Sequence, residues 1–367
     1  MLPLATSLCW LPAGDARGFD ARGGQFLGFS SLAAFRASSD GAAGPTVWTS
    51  PPITARIDWT ELIASWNAAM PDASWLKVEA RAIHPERPTK FYVLGLWSAN
   101  TNQHPRESVL NQKDADGDVA TDTLRLDRPA RRFQLRLTLG GDSGDLPRVK
   151  FLGICLVDAT ARPGSLPPNR AAWGKRVDVP ERSQMVYPGG NVWCSPATTS
   201  MLLAHWAQVL RRPELDCSVP RVVAGVFDRN WDGTGNWVFN TAFAGSFPGL
   251  RAYVARFSDL SEVEGWIARG LPVGLSLCYN KLRGKEGPLS GHLVVCVGFT
   301  QEGDVILNDP GTREQVRKVF PRANVIAAWA TSRNAVYLVY PEPAKPPKDR
   351  FGHWDSPASR RRIVLGD

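Results

Sequence analysis

In the segment QMVYPGGNVWCSPATTSMLLAHW, from Gln184 to Trp206, the turn residues Pro188, Gly189 and Gly190 precede Cys194, and Pro196 follows it. Proline suits the first turn of a helix because its missing N–H would have had no partner there. The spacing therefore predicts a helix over 196–210 with Cys194 at its N-terminus. Unpaired amides and the helix dipole at that end favour a thiolate. The chemistry within reach is nucleophilic attack; the competing reading of Cys194 is a small packed residue.

A thiolate nucleophile needs a base, and histidine titrates nearest to neutrality. Of the five histidines, His205 lies three turns along the same predicted helix, about 16 Å from Cys194 at 1.5 Å per residue, and cannot reach it. His84 and His104 fall in a β-rich region and His353 in the C-terminal tail. His292 remains: it follows a Gly-rich loop, Arg283 to Gly291, and opens the strand HLVVCVGF, from which a side chain can face a cleft. Its competing reading is a hydrogen-bonded histidine at a strand end. The segment GHLVVCVGFTQEGDVILNDP predicts a hairpin turning between Thr300 and Asp304, which returns Asp309 to the neighbourhood of His292. A carboxylate there would hold one tautomer and stabilise the protonated ring. Asp309 with Pro310 and Gly311 also reads as a plain turn. Asn308 is the fallback partner, but its neighbouring strand position points it to the opposite face.

The elements that must position these residues fall into two unlike halves. At 367 residues and roughly 100–200 per domain, two domains or one large one are expected. In Arg131 to Gly140, Phe133, Leu135, Leu137 and Leu139 alternate with polar residues, the period-two pattern of a strand buried on one face. Ser74 to Ile83, Lys90 to Trp97 and Val149 to Val157 read alike, and a short helical stretch is expected near 59–69. Such strands, punctuated by Pro, Gly, Asp and Asn, predict a β-sandwich or jelly-roll domain over 1–158. Prolines and glycines then mark a linker over 159–183. Beyond it, helix first and sheet later give an α+β domain over 184–340. It includes a helix at 260–269, with Ser261 and Glu264 spaced as a capping box and Gly270 to stop it, and strands at 272–279, 292–299 and 304–308. Five prolines and the run Arg360 to Arg362 predict an unstructured tail over 341–367.

Together the Cys, His and Asp segments resemble papain-like cysteine peptidases. More narrowly, Gln184 through Pro310 is similar to the bacteriocin-processing, double-glycine-leader peptidase family, family thirty-nine of the cysteine peptidases, in its stand-alone bacterial branch. The resemblance is carried by QMVYPGGNVWCSPATTSMLLAHW, GNWVFNTAFAGSFPGLRAYVARF, LPVGLSLCY and GHLVVCVGFTQEGDVILNDP, in that order. It implies a papain-like C-terminal domain, a peptide substrate, Cys194 as nucleophile, His292 as base and Asp309 as the residue orienting it. Gln184 matches a family glutamine whose amide joins the Cys194 backbone N–H in stabilising an oxyanion; its competing reading is a solvated linker residue. Such thiol chemistry requires no cofactor. Two departures stand out. Ser195 occupies a position where the family commonly has glycine, and its side chain is expected to narrow the approach or cap the helix. Gln184 also lies farther upstream of the nucleophile than in the leader-processing members.

Other features narrow the function classes. No apolar run reaches the ~18 residues needed to cross a bilayer. The excess of 43 Lys and Arg over 35 Asp and Glu, +8, suits acidic partners, but the basic residues are scattered and form no stripe interleaved with aromatics, so nucleic-acid binding gains little support. Six cysteines without a Cys-x-x-Cys pair build no disulfide scaffold and select no redox compartment; Cys155, Cys278 and Cys296 read as packing residues. Met1 to Pro12 is apolar but has no basic residue ahead of its hydrophobic stretch, a poor export signal, and localisation stays open between cytoplasm and export. Asp114, Asp116, Asp118 and Asp122 fail the calcium-loop pattern at Val119 and Arg125 and read as a polar turn. His292 and Cys296 lie about 13 Å apart along one strand, too far to share a zinc ion, and no metal site is expected.

Trp193 beside the thiol, and Trp231, Asn236 and Trp237 in a Gly-rich aromatic loop, are the candidate substrate contacts, with loop anchoring as the competing role. The expected activity is cysteine-dependent peptide hydrolysis; acyl transfer to an amine would use the same residues. The rival is a catalytically inactive papain-like protein whose N-terminal sandwich binds carbohydrate or another protein, because sandwich folds host many functions.

Overall fold

The computed structural model describes residues 23–39, 44–142, 145–162, 164–350, 352 and 354–355. The candidate export signal, Met1 to Pro12, lies outside them, as do His353 and the run Arg360 to Arg362.

The N-terminal half is built from β1 (Gly24–Phe29), β2 (Arg36–Ser39), β3 (Thr46–Thr49), β4 (Ile53–Ala69), β5 (Ser74–Ile83), β6 (Tyr92–Ser98), β7 (Gly117–Ala120), β8 (Thr123–Gly141) and β9 (Arg148–Val157). The alternation read over 131–140 is the last part of β8, where Phe133, Leu135, Leu137 and Leu139 are buried. β8 pairs first with β7 and β4, and from Arg132 onward with the whole of β5. β4 pairs with β8 as far as Ile63, with register shifts around Trp59, and runs along β9 from Glu61 to Ala69. Within this sheet, Trp66 of β4 meets Trp97 of β6 with ring centroids 6.1 Å apart.

The helical stretch expected near 59–69 is instead the second half of β4. Glu61 to Ala68 are all buried, so the alternation that marks a one-sided strand disappears. What is left is a run of Leu, Ile, Ala and Trp that periodicity cannot tell from a buried helix.

The C-terminal half opens with α1 (Cys194–Leu210), α2 (Val219–Val226) and α3 (Trp237–Ser246). It continues with β10 (Leu250–Arg256), α4 (Leu260–Ile267), β11 (Val273–Cys278), α5 (Tyr279–Leu282), β12 (Gly291–Phe299), β13 (Val305–Asn308), β14 (Arg317–Phe320), α6 (Arg322–Trp329) and β15 (Ala335–Pro341). Its strands form an antiparallel six-stranded sheet in the order β10-β15-β11-β12-β13-β14. The cap of α4 differs from expectation: Asp259 accepts from the Ser261 N–H at 2.9 Å. Glu264 is buried instead, accepting from Trp173 Nε1 at 2.8 Å and Arg322 at 2.6 Å.

Much of the stretch expected as a linker is laid against this sheet. The Val177 N–H donates to the Val297 C=O at 2.7 Å, and the Val179 C=O accepts from Asn308 Nδ2 at 3.1 Å. Part of the tail expected to be unstructured is also paired, as β16 (Trp354–Asp355) runs parallel to Phe26 and Leu27 of β1. Residues 351, 353 and 356–367 of that tail lie outside the described residues.

The two halves meet along a polar seam. β10 is an edge strand, whose free N–H and C=O groups would invite unwanted pairing, and side chains of β4 cover it. Asn67 Nδ2 donates to the Ala252 C=O at 2.6 Å, Asn67 Oδ1 accepts from the Ala252 N–H at 3.0 Å, and Ser65 Oγ accepts from the Val254 N–H at 2.9 Å. Beside them the Glu61 carboxylate, 5% exposed, pairs at 3.1 Å with Arg256, 7% exposed, and also with Arg333. Removing one partner of a buried pair leaves the other charge uncompensated, at a cost of about 3–5 kcal/mol. Glu61→Leu should lower the unfolding free energy by that much in urea denaturation; a loss below about 1 kcal/mol would show a pair that behaves like a surface one.

Candidate active site

Cys194 is the first residue of α1, and the chain reaches it through a tight turn. Gly189 has φ 72°, the left-handed region that glycine enters without steric cost. Gly190 starts a 3₁₀ turn to Val192, and its C=O accepts from the Trp193 N–H at 2.9 Å. The same C=O accepts from Nε2 of the buried Gln184 at 2.7 Å, while the Gln184 backbone N–H donates to the Pro310 C=O at 3.0 Å. Gln184 thus ties the turn ahead of Cys194 to the turn that carries Asp309, and is no solvated linker residue. Its Oε1 is buried without a partner among the described residues.

His292 stands at the start of β12, 4% exposed. The predicted hairpin forms, with Val295 opposite Asn308 and a turn closed by the Thr300 N–H on the Asp304 C=O. It brings Asp309 Oδ1 to 2.7 Å from His292 Nε2. With that nitrogen engaged, Nδ1 is the ring atom left for the Cys194 thiol, which hydrogen-bonds to His292. Asp309 Oδ1 also accepts from the Gly311 N–H at 2.9 Å and Oδ2 from the Tyr279 hydroxyl at 3.2 Å. The Tyr279 ring lies against the imidazole, with centroids 4.1 Å apart.

These contacts set the protonation states. Burial works against an imidazolium, but the hydrogen bonds and charges of Asp309 and Cys194 outweigh it and carry the His292 pKa up to about 9. Burial likewise opposes the Cys194 thiolate; the His292 hydrogen bond and charge, helped by backbone amides of Leu293 and Ser195, hold its pKa below the ordinary value. For Asp309, burial is overcome by His292, the Gly311 N–H and Tyr279, which keep the carboxyl below its usual range. All three shifts run in the direction that favours a thiolate–imidazolium pair backed by a carboxylate.

Tyr279 is the residue that sequence reasoning missed. Its only signal was an aromatic side chain placed directly after the apolar strand LPVGLSLC. The Ser195 side chain neither narrows the approach nor caps the helix: it is buried, and Oγ lies 2.8 Å from the Tyr337 hydroxyl. Asn308 faces away as expected, held to Val179 and Arg317, and His205 is turned to the Asp178 C=O at 2.8 Å.

The four candidate substrate contacts stand in different settings. Trp193 is half-buried next to the thiol, and Trp231, 44% exposed, folds over Gly233 and Gly235. Asn236 is fully buried and caps α3, accepting from the Phe239 N–H and donating to Asp228 Oδ2 at 2.9 Å. The Trp237 backbone N–H donates to Asp122 Oδ2 at 2.7 Å. Asn236 and Trp237 therefore anchor the loop, because its polar groups are already engaged inside the protein.

Asp114 accepts from Tyr92 and pairs with Lys90, and Asp116 pairs with Arg87, as in a polar turn. Among the described residues, no group of three His, Cys, Asp or Glu could hold a metal ion, and no helix is long and apolar enough to cross a membrane.

A thiol set against an imidazole in this way is a device of cysteine-dependent hydrolases, and the comparisons with known proteins point to the same class. Residues 13–156 match the model of the Peptidase C39 N-terminal domain, and residues 176–337 match that of the Peptidase_C39 like family. Each half of the chain is thus similar to a C39-type peptidase model. Among solved structures it is similar to a protein from Bacillus anthracis described as a C39-like peptidase, at 15% identity over 47% of this chain and 99% of that one, with a TM-score of 0.34. It is also similar to a family two carbohydrate esterase from Cellvibrio japonicus, at 11% identity over 42% of each chain, with a TM-score of 0.18. No curated protein matches the chain.

Iodoacetamide should alkylate Cys194 with a midpoint below the ~8.5 of a free cysteine. In His292→Ala only the backbone amides of Leu293 and Ser195 still oppose burial, so the midpoint should move upward. Equal midpoints in the two proteins, read by peptide mass, would show that the imidazole does not activate the sulfur.

Proposed function

We propose that the chain is a cysteine peptidase, with a papain-like domain over 184–340 following a sandwich domain over 1–158 and the connecting stretch 159–183. The observation that carries this reading is the hydrogen-bonded series Cys194, His292, Asp309, drawn from a helix N-terminus and a hairpin distant in sequence. The packing of Trp66 on Trp97 between two parts of one sheet supports the sandwich. A peptide substrate is the expectation that the similarity to C39-type peptidases carries.

The Cys194 sulfur attacks the carbonyl carbon of the scissile bond, and the C=O π pair moves onto oxygen. Protonated His292 gives its Nδ1 proton to the amide nitrogen as the C–N bond breaks, leaving a thioester and a free amine. Neutral His292 then takes a proton from water as the water oxygen attacks the thioester. The sulfur leaves as thiolate, the acid product departs, and the ion pair is restored. Asp309 remains ionised throughout and stabilises the imidazolium. The Cys194 backbone N–H and the second hydrogen of Gln184 Nε2 are the donors available to the oxyanion. Ser195, turned inward onto Tyr337, leaves the approach clear.

The pH dependence follows from the two shifted groups. Activity should climb as the thiol loses its proton, at a pH below that of an ordinary cysteine, and fall as His292 loses its own near 9. Asp309→Asn withdraws a group that raises the His292 pKa, so the falling limb should move to lower pH. Cys194→Ala should abolish cleavage of a peptide library while circular dichroism stays unchanged; turnover retained in that variant would count against the mechanism.

A further inference from the structure

A cavity of about 470 Å³ has Trp193, the residue before Cys194, in its wall, and its volume falls within the roughly 300–1,000 Å³ typical of small-ligand sites. Trp193 lines one side of it, and its Cα is one peptide unit, 3.8 Å, from that of Cys194. Val223, Ala224 and Phe227 at the end of α2 form a second wall. Thr101 and Pro105, in the loop after β6, form a third, so both domains build the cavity.

Two arginines also border this space, and both are already engaged. Arg106 is buried and donates to the Ala224 C=O at 2.6 Å and the Phe227 C=O at 3.1 Å. It satisfies carbonyls that the C-terminus of α2 would otherwise leave open. Arg229 pairs with Glu107 at 3.2 Å. What the cavity presents is therefore mainly carbon from Trp193, Val223, Ala224, Phe227 and Pro105.

We infer that this cavity is a specificity subsite which receives one large apolar side chain of the peptide, within a residue or two of the bond attacked by Cys194. The inference rests on the cysteine-peptidase reading above and adds a substrate class to it. It also gives the N-terminal domain a direct part in recognition, through Thr101 and Pro105. Occupation by an apolar side chain would remove Trp193 and the exposed Phe227 from water, the driving force for such binding.

The test uses the full-length protein and N-acetyl dipeptidyl chloromethyl ketones, which alkylate the thiol after docking. The side chain at each position is varied among Leu, Phe, Asp and Lys. Rates of Cys194 modification are read by peptide mass and divided by the rate with iodoacetamide, which is too small to need the cavity. At one position Leu or Phe should exceed Asp and Lys by about tenfold or more. Ala224→Trp and Thr101→Trp, both at exposed positions on the cavity wall, should each reduce that preference to within about twofold.

A preference that survives both substitutions, or no apolar preference at all with a fast thiol, would overturn the subsite and leave the peptidase reading standing. A thiol that iodoacetamide modifies only in the pH range of an ordinary cysteine would overturn both.

Discussion

An imidazole held almost wholly out of water can carry a proton only beside a fixed negative charge, and the contacts around His292 supply one in Asp309. Asp309 must arrive with its carboxylate on the His292 side of β13 and stay ionised there. The Gly311 N–H and the Tyr279 hydroxyl supply the donors that keep it so. Gly311 has no room for a side chain, since a Cβ would lie 2.9 Å from the Tyr279 hydroxyl oxygen and 3.1 Å from His292 Cε1. A one-residue slip of the hairpin would put Asp309 on the wrong face. Asn308 guards against this from the opposite face, where Nδ2 donates to Val179 and Oδ1 accepts from Arg317.

The N-terminal domain is part of the same construction. β4 closes the edge of β10 with Asn67 and Ser65, and Trp66 packs on Phe239 of α3 with centroids 6.1 Å apart. The loop ahead of α3 is organised by Asp228, a buried carboxylate that accepts from Ser108 of the N-terminal domain, from the Trp231 N–H and from Asn236. The Ser108 bonds, like those of Asn67 and Ser65, cross between the domains, and each contributes about 0.5–1.5 kcal/mol net to holding them together. Buried polar bonds of this number resemble the interior of one protein more than a transient domain contact.

The residues of the site were legible where local rules govern. The Pro-Gly-Gly turn, the proline after Cys194 and the hairpin punctuation each act within a few residues, and the structure has the corresponding helix start and hairpin. What escaped was set by tertiary contact. Tyr279 matters because its ring meets His292 and its hydroxyl meets Asp309, relations that its strand-end position does not announce. Asn236 resembled a cleft residue because Asn in a Gly-rich loop suits substrate contact and helix capping alike; the buried Asp228 beside it decides for capping. The second half of β4 lost its strand signature because two domains bury both of its faces. The capping box at Ser261 and Glu264 failed for a similar reason, since Glu264 is drawn inward by Trp173 and Arg322.

Ser195 shows how the halves of the chain bear on one another at the thiol. A glycine in its place would leave the Tyr337 hydroxyl without this partner in a fully buried setting. Tyr337 lies on β15 opposite Val254 of β10, and the Val254 N–H is bonded to Ser65 of β4. A continuous line of ordered contacts thus runs from the N-terminal sheet, across β10 and β15, to the residue beside Cys194. A serine there anchors the first turn of α1 to the strand next to the domain seam. The helix end that carries the thiol is then held by the sheet as well as by its own backbone, which is what a sulfur positioned against a buried ring requires.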